Sequence, residues 1–442
     1  MTFADASEPR RTAPRGFFIP TIISIFVMMI LVLIAPIMTA DGTPDGSGNT
    51  LRQAGYALLF LATVWMVGGF KRPRKLLAPP LMIILAIGWC WLSLFWALEP
   101  SITIRRLLLT TLVLWIIFLA VEECGFDRTI KAMMICLVAL LIANYIAIVA
   151  FPYEAIHQAG ISVDAGIVGD WKGVLPQKNF TGACCALTIM LFLFAGKQVN
   201  LILRIGVIAA SAFFLVMSQS KTSMGMLILS AAVGGIYYVF NPRLRMVLIP
   251  VVALAGVAMM MYSITAWDEM LGPFARHDGL TGRVQIWPYL ISYATDHPYT
   301  GAGYGSFWNI GTEGPIYSYS RNWVSELSNG HNGYLDLLVQ VGWPGLILAV
   351  LATMVIPMWK LLSNSEVSKA RGGLLIALLI FCIGHNITET SLFERDVIVG
   401  VFLIFTVALV EVVTRRSSQQ RGPSSERRRS RSSLARPQTG GA

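Results

Sequence analysis

At 442 residues the chain is long enough for two or three soluble domains, yet 55% of its residues are hydrophobic, 13% are charged, and its mean hydropathy is +0.65. The apolar residues lie in long uninterrupted blocks, which excludes an ordinary soluble enzyme. The net charge of +10 does not point to nucleic acid, because much of the excess sits in one Ser- and Gln-rich stretch from Arg415 to Arg436.

A helix needs about 20 residues to cross roughly 30 Å of hydrocarbon. Twelve blocks meet or approach that length: about 17–38, 51–70, 81–98, 102–121, 130–151, 181–196, 199–217, 223–240, 246–263, 334–358, 372–390 and 397–413. Residues 1–16 are basic, and the block after them is too long and bulky for a cleavable signal, so a retained first span is expected. The sixth block is short enough to be re-entrant. Placing 1–16 in the cytoplasm puts 24 of the 34 lysines and arginines on that side, among them Lys71, Arg72, Arg74 and Lys75 in one short loop. Both termini are then cytoplasmic, and 414–442 reads as a basic, disordered tail that touches anionic lipid.

Two outer segments are long. Residues 152–180 form a loop within spans one to nine (17–263), and 264–333 form a larger loop before the last three spans (334–413). The larger loop holds four tryptophans (Trp267, Trp287, Trp308, Trp323), six tyrosines and three of the chain's five histidines, a composition unlike a disordered linker. Within it TGRVQIWPYLISYATDHP predicts an amphipathic helix and GAGYGSFW a glycine-permitted turn, so this is an ordered outer cap. The six cysteines lack metal-ligand spacing and read as small packing residues.

Three outer stretches carry unusual polar residues: GDWKGVLPQKNFTG (169–182) with Lys172, Lys178 and Asn179; SQSKTS (218–223) with Lys221; and the cap with Arg276, Arg283 and Arg321. Cations at the outer ends of spans suit a phosphate or diphosphate, which an Arg fork pairs bidentately. Rings such as Trp287 and Trp308 suit sugars, whose C–H faces stack on aromatic faces. His331, just before an apolar run, suits a base at the mouth of the bundle. Each feature has a bland counterpart: Lys and Arg snorkel to headgroups, Trp and Tyr form interfacial belts, and a loop histidine more often packs or caps. His385, in GHNITET, reads equally as an interhelical hydrogen bond or as a functional group. The residues alone imply an outward-facing site for an anionic lipid, with or without sugars attached.

The segment HNGYLDLLVQVGWPG resembles the signature of the O-antigen ligase and polymerase superfamily, in which a His-Asn pair and Gly-x-x-Gly are separated by nine residues at the entry to a span. Here these are His331-Asn332 and Gly342 with Gly345. Thr281-Gly282-Arg283 with Trp287, and the Gly301-x-Gly303-x-Gly305 turn, are similar to the same family's large-loop pattern. Gln177-Lys178-Asn179 resembles its exopolysaccharide-producing branch, and the resemblance covers about 165–390. Two departures matter. Lys221 stands where many ligases carry Arg, and Leu346-Ile347 stand where two threonines often follow the glycines. Both tilt the reading from ligase toward exopolysaccharide polymerase.

The resemblance implies an all-α polytopic glycosyltransferase of GT-C-like architecture in the bacterial inner membrane, with its site facing the periplasm. It implies an undecaprenyl-diphosphate-linked oligosaccharide donor and a glycan or lipid A-core acceptor, with membrane lipids and a chain-length regulator as further partners. Arg283, Lys221 and Lys178 would bind the diphosphate, Arg283 and His331 would act in catalysis, and Trp287, Trp308 and Asn332 would hold sugar. The substrate arrives activated, so no nucleotide cofactor is expected, and the lack of an Asp-x-Asp motif predicts no metal. A flippase or secondary transporter is the competing class, and it should carry charge at mid-membrane depth, which this chain largely avoids.

Overall fold

The computed structural model describes residues 18–38, 48–159, 165–271, 281–311 and 314–420. Regular structure among them is helical, and the one paired extended contact is an isolated bridge between Ile156 and Trp171. This suits a bilayer, where a helix satisfies its backbone polar groups internally. In chain order come α1 (Phe18–Met38), α2 (Thr50–Met66), α3 (Leu81–Leu92), α4 (Pro100–Cys124), α5 (Phe126–Ala150) and the short α6 (Pro152–Ala155). Next are α7 (Lys178–Ala195), α8 (Leu201–Met217), α9 (Lys221–Val239) and α10 (Pro242–Leu271). The cap carries α11 (Thr281–Asp296) and α12 (Ile316–Tyr319). The chain returns through α13 (Gly333–Val350), a π-helical turn (Leu351–Val355), α14 (Ile356–Ser363), α15 (Lys369–His385) and α16 (Ile398–Gln420).

Every expected span coincides with helix, but among the described residues seven helices are long and apolar enough to cross a membrane. Shorter apolar helices cover Thr21–Ala35, Leu81–Trp96 and Leu201–Met217. The polytopic all-helical expectation is met; the count of twelve stays an expectation. Several boundaries move. The sixth block begins at Lys178, so Lys178 and Asn179 belong to the first turn of α7, which with its following turn reaches span length. Helix α10 runs on to Leu271, past the expected cap boundary. Residues 414–420 are helical within α16 rather than tail, while 1–16 and 421–442 lie outside the described residues.

Helices α15 and α16 form the centre of the bundle, buried along almost their whole described length. Helix α15 lies against α9, where Gly234 and Gly373 let the backbones meet: a Cβ on Gly234 would come within 2.7 Å of the Gly373 carbonyl oxygen. Small residues at such crossings supply packing that lipid-like side chains cannot.

The break in α13 positions the cap. Gly342 is non-helical (φ 66°, ψ −177°), and Pro344 removes a backbone donor two residues later. Carbonyls there find other donors: the Trp89 indole N–H reaches Val341 O at 2.9 Å, and Ala302 N reaches Val339 O at 2.8 Å. The glycine-rich turn wedges into this break. Gly301, Gly303 and Gly305 all have positive φ, and Gly301 and Gly303 press on the backbones of α13 and Ala97. Arg106 of α4 donates to the carbonyls of Gly305 and Trp308, and Gln340 Oε1 accepts from Gly305 N at 2.6 Å. The cap is therefore bolted to the bundle. The loop between α15 and α16 is tied down as well, by a partly buried Arg52–Asp396 ion pair and by Tyr304, whose hydroxyl donates to Phe393 O at 2.5 Å.

Candidate functional site

Three segments distant in sequence converge on the carboxylate of Glu389, four residues beyond the end of α15. Arg283, in the first turn of α11, donates from Nη2 to Glu389 Oε1 at 2.5 Å. Asn179, in the first turn of α7, donates from Nδ2 to the same oxygen at 2.7 Å. The remaining oxygen, Oε2, lies 3.5 Å from His331 Nδ1. Glu389 is 7% exposed, and burial by itself would raise its carboxyl; the Arg283 charge, followed by His331, outweighs that and holds it well below the usual carboxylate range.

The residues around His331 are explained by the backbone they build. His331 itself is left-handed (φ 50°), an uncommon conformation for a side chain of its size, and Asn329 Oδ1 accepts its N–H at 3.0 Å. Asn332 is the N-cap of α13: its Oδ1 accepts from Tyr334 N and Leu335 N, each at 3.1 Å. Gly333 N donates to the carbonyls of Asn386 (2.8 Å) and Glu389 (3.2 Å), an approach so close that a Cβ would strike the Asn386 side chain. The Asn386 amide oxygen in turn accepts from both Ser391 N and Ser391 Oγ at 3.0 Å. The His-Asn-Gly turn and the loop carrying Glu389 are thus one rigid unit.

Asp336, one turn into α13, anchors that unit from beneath. It accepts from Gly330 N at 2.9 Å and from the Trp308 indole at 2.7 Å, and also from Thr390 Oγ1.

The other expected site residues fare differently. Lys178 is compensated, with its Nζ 2.6 Å from Asp170. Lys221 opens α9 and is exposed, directly after Ser220, whose hydroxyl donates to Asn179 Oδ1 at 3.3 Å. Trp287 is half-buried on α11, its indole donating to Gly330 O at 3.2 Å, next to His331.

Two residues expected to hold sugar already have partners in the fold. Trp308 is 6% exposed with its N–H committed to Asp336, so no ring face is open to a sugar. Asn332 spends its amide oxygen on capping α13. Of the two readings open for His385, the interhelical hydrogen bond is not formed: the ring is buried over Phe381 and neither nitrogen has a hydrogen-bond partner. Arg276 lies outside the described residues. Among those described, no group of three or more His, Cys, Asp or Glu side chains is placed to hold a metal, and all six cysteines are buried and free.

Sequence reasoning passed over Glu389 and Asp336. Asp336 is a lone acid within an apolar block, and Glu389 stands at the end of one with Glu394 and Asp396 close behind, so neither is conspicuous by type. A signal was available: both fall within or next to His-Asn stretches, HNGYLD and HNITE.

Comparison with known proteins bears on the same region. Residues 206–350 match the sequence model of the family described as O-antigen ligase, a span that includes Lys221, Arg283 and His331. The chain is also similar to the exopolysaccharide production protein ExoQ of Rhizobium meliloti (strain 1021), with 24% identity over 348 residues, 74% of this chain and 75% of that protein. Both likenesses support the resemblance to the O-antigen ligase and polymerase superfamily carried by the motifs at the cap–bundle junction.

Proposed function

We propose that the protein is a membrane glycosyltransferase that polymerises undecaprenyl-diphosphate-linked oligosaccharide repeats on the periplasmic face, making exopolysaccharide or O-antigen chains. The observation that carries this reading is the meeting of Arg283, Asn179 and His331 around Glu389, where the cap joins the bundle. In the reaction His331 takes the proton of an acceptor hydroxyl, whose oxygen attacks the anomeric carbon of the donor sugar. The bond from that carbon to the lipid diphosphate breaks, and the diphosphate leaves with the electron pair. Arg283 has N–H donors beyond the one given to Glu389, and these offset charge growing on the leaving group, with Lys221 and Lys178 as further cations. Trp287 is the aromatic left to pack on sugar near His331. Similarity to an exopolysaccharide production protein favours chain growth.

The family description favours a second reading, transfer of finished glycan to lipid A-core. Purified protein in vesicles with a lipid-diphosphate oligosaccharide separates the two. The polymerase reading expects a ladder of lengthened glycan without lipid A-core. A product formed only when lipid A-core is added supports the ligase, and no product with either acceptor overturns both.

A further inference from the structure

Glu389 has two carboxylate oxygens and an unequal set of donors. Oε1 takes both Arg283 Nη2 and Asn179 Nδ2, at 2.5 and 2.7 Å, whereas Oε2 faces His331 Nδ1 at 3.5 Å. The acid cannot swing away, because its backbone carbonyl also accepts from Gly333 N and its loop is locked by Asn386 and Ser391. His331 is equally constrained, held left-handed between Asn329 and the capped start of α13. The two fixed groups leave a gap slightly longer than a good hydrogen bond, the looseness common in a site without substrate.

We infer that Glu389 is a positioning residue for His331: its Oε2 accepts the Nδ1–H of the imidazole, so that Nε2 is the nitrogen presented to the acceptor hydroxyl. This rests on the glycosyl-transfer reading above and deepens it. A neutral imidazole carries its proton on one nitrogen only, and an acceptor at Nδ1 decides which. When Nε2 takes the hydroxyl proton, the ring becomes positive, and the carboxylate stabilises that charge at the moment it forms. Arg283 and Asn179 keep the carboxylate ionised and aimed. The same Glu therefore links the base to the diphosphate-binding arginine. The charged and titratable groups around the pair are Arg283 on α11 and His385 at the end of α15, with Asp336 below on α13, the Lys178–Asp170 pair at α7, and Lys221 at the start of α9.

The test uses the full-length protein in vesicles with a lipid-diphosphate oligosaccharide, measuring kcat and KM for donor. Glu389→Gln removes the charge and can present an N–H to Nδ1, which selects the wrong tautomer. Expected is a fall in kcat of about 10²-fold or more. Glu389→Asp keeps the charge but draws it back by one methylene, so it should restore part of the lost kcat.

Turnover per folded molecule in Glu389→Gln within about threefold of wild type overturns the inference. Should Glu389→Gln fail to fold, Glu389→Asp decides: unchanged kcat overturns, and a lowered kcat at unchanged donor KM supports. His331→Ala is run alongside. If it is inactive while Glu389→Gln is normal, the positioning role fails and the transferase reading stands. If wild type moves no sugar from the donor, the transferase reading fails and this inference falls with it.

Discussion

His331 offers a substitution that separates catalysis from stability. Its backbone sits at φ 50°, where a residue with a Cβ pays roughly 1–2 kcal/mol that glycine avoids. The side chain is only partly buried, and its backbone hydrogen bond to Asn329 uses the N–H, which any residue but proline supplies. His331→Gly therefore relieves strain, against a loss of packing and about 0.5–1 kcal/mol of extra unfolded-chain entropy. Stability should change by no more than about 1 kcal/mol in either direction. Activity should change far more. A general base contributes about 10²–10⁴-fold, or roughly 3–5 kcal/mol of barrier. The assay pairs thermal unfolding in detergent with glycan chain growth in vesicles, read as turnover per folded molecule. His331→Gln adds a control that can still hydrogen-bond the acceptor but cannot take its proton. Near-normal turnover in His331→Gly refutes the base assignment, and near-normal turnover in His331→Gln alone reduces the residue to orienting the acceptor. A large drop in stability with intact turnover would make it a purely structural turn.

Arg283→Lys keeps a charge but loses the planar fork that must serve both Glu389 and diphosphate; donor KM should rise about tenfold or more, whereas Lys221→Arg should be tolerated, and full activity in Arg283→Ala sinks the phosphate role. Trp308→Phe leaves buried Asp336 without one of its donors and should cost about 1–3 kcal/mol of thermal stability while turnover per folded molecule holds; lost turnover at wild-type stability would return Trp308 to the sugar site. A reporter fused after Gln420 should be active only in the cytoplasm and one inserted at Gly314 only outside, and reports from the same side would remove the outward-facing site.

Membrane class, the helical blocks and the ordered cap were legible in the sequence, because hydropathy over about 20 residues is a local property that needs no partner. The cap elements were local too: α11 and the Gly301–Gly305 turn follow from amphipathic spacing and glycines at positive φ. Motif resemblance located Arg283 and His331. What joins them was not local. Arg283 and Glu389 are 106 residues apart, and Asn179 and Glu389 are 210 apart, so only the packing of α7, α11 and α13 around the end of α15 brings the carboxylate between them. The same packing turned Trp308 inward onto Asp336 and made Asn332 a helix cap, roles that an aromatic or an amide in a polar loop does not reveal by type. Composition states which groups can bind sugar or phosphate. Whether each is already spent on the protein's own backbone and buried charges is decided by tertiary contact, since a buried polar group must find its partner inside the fold.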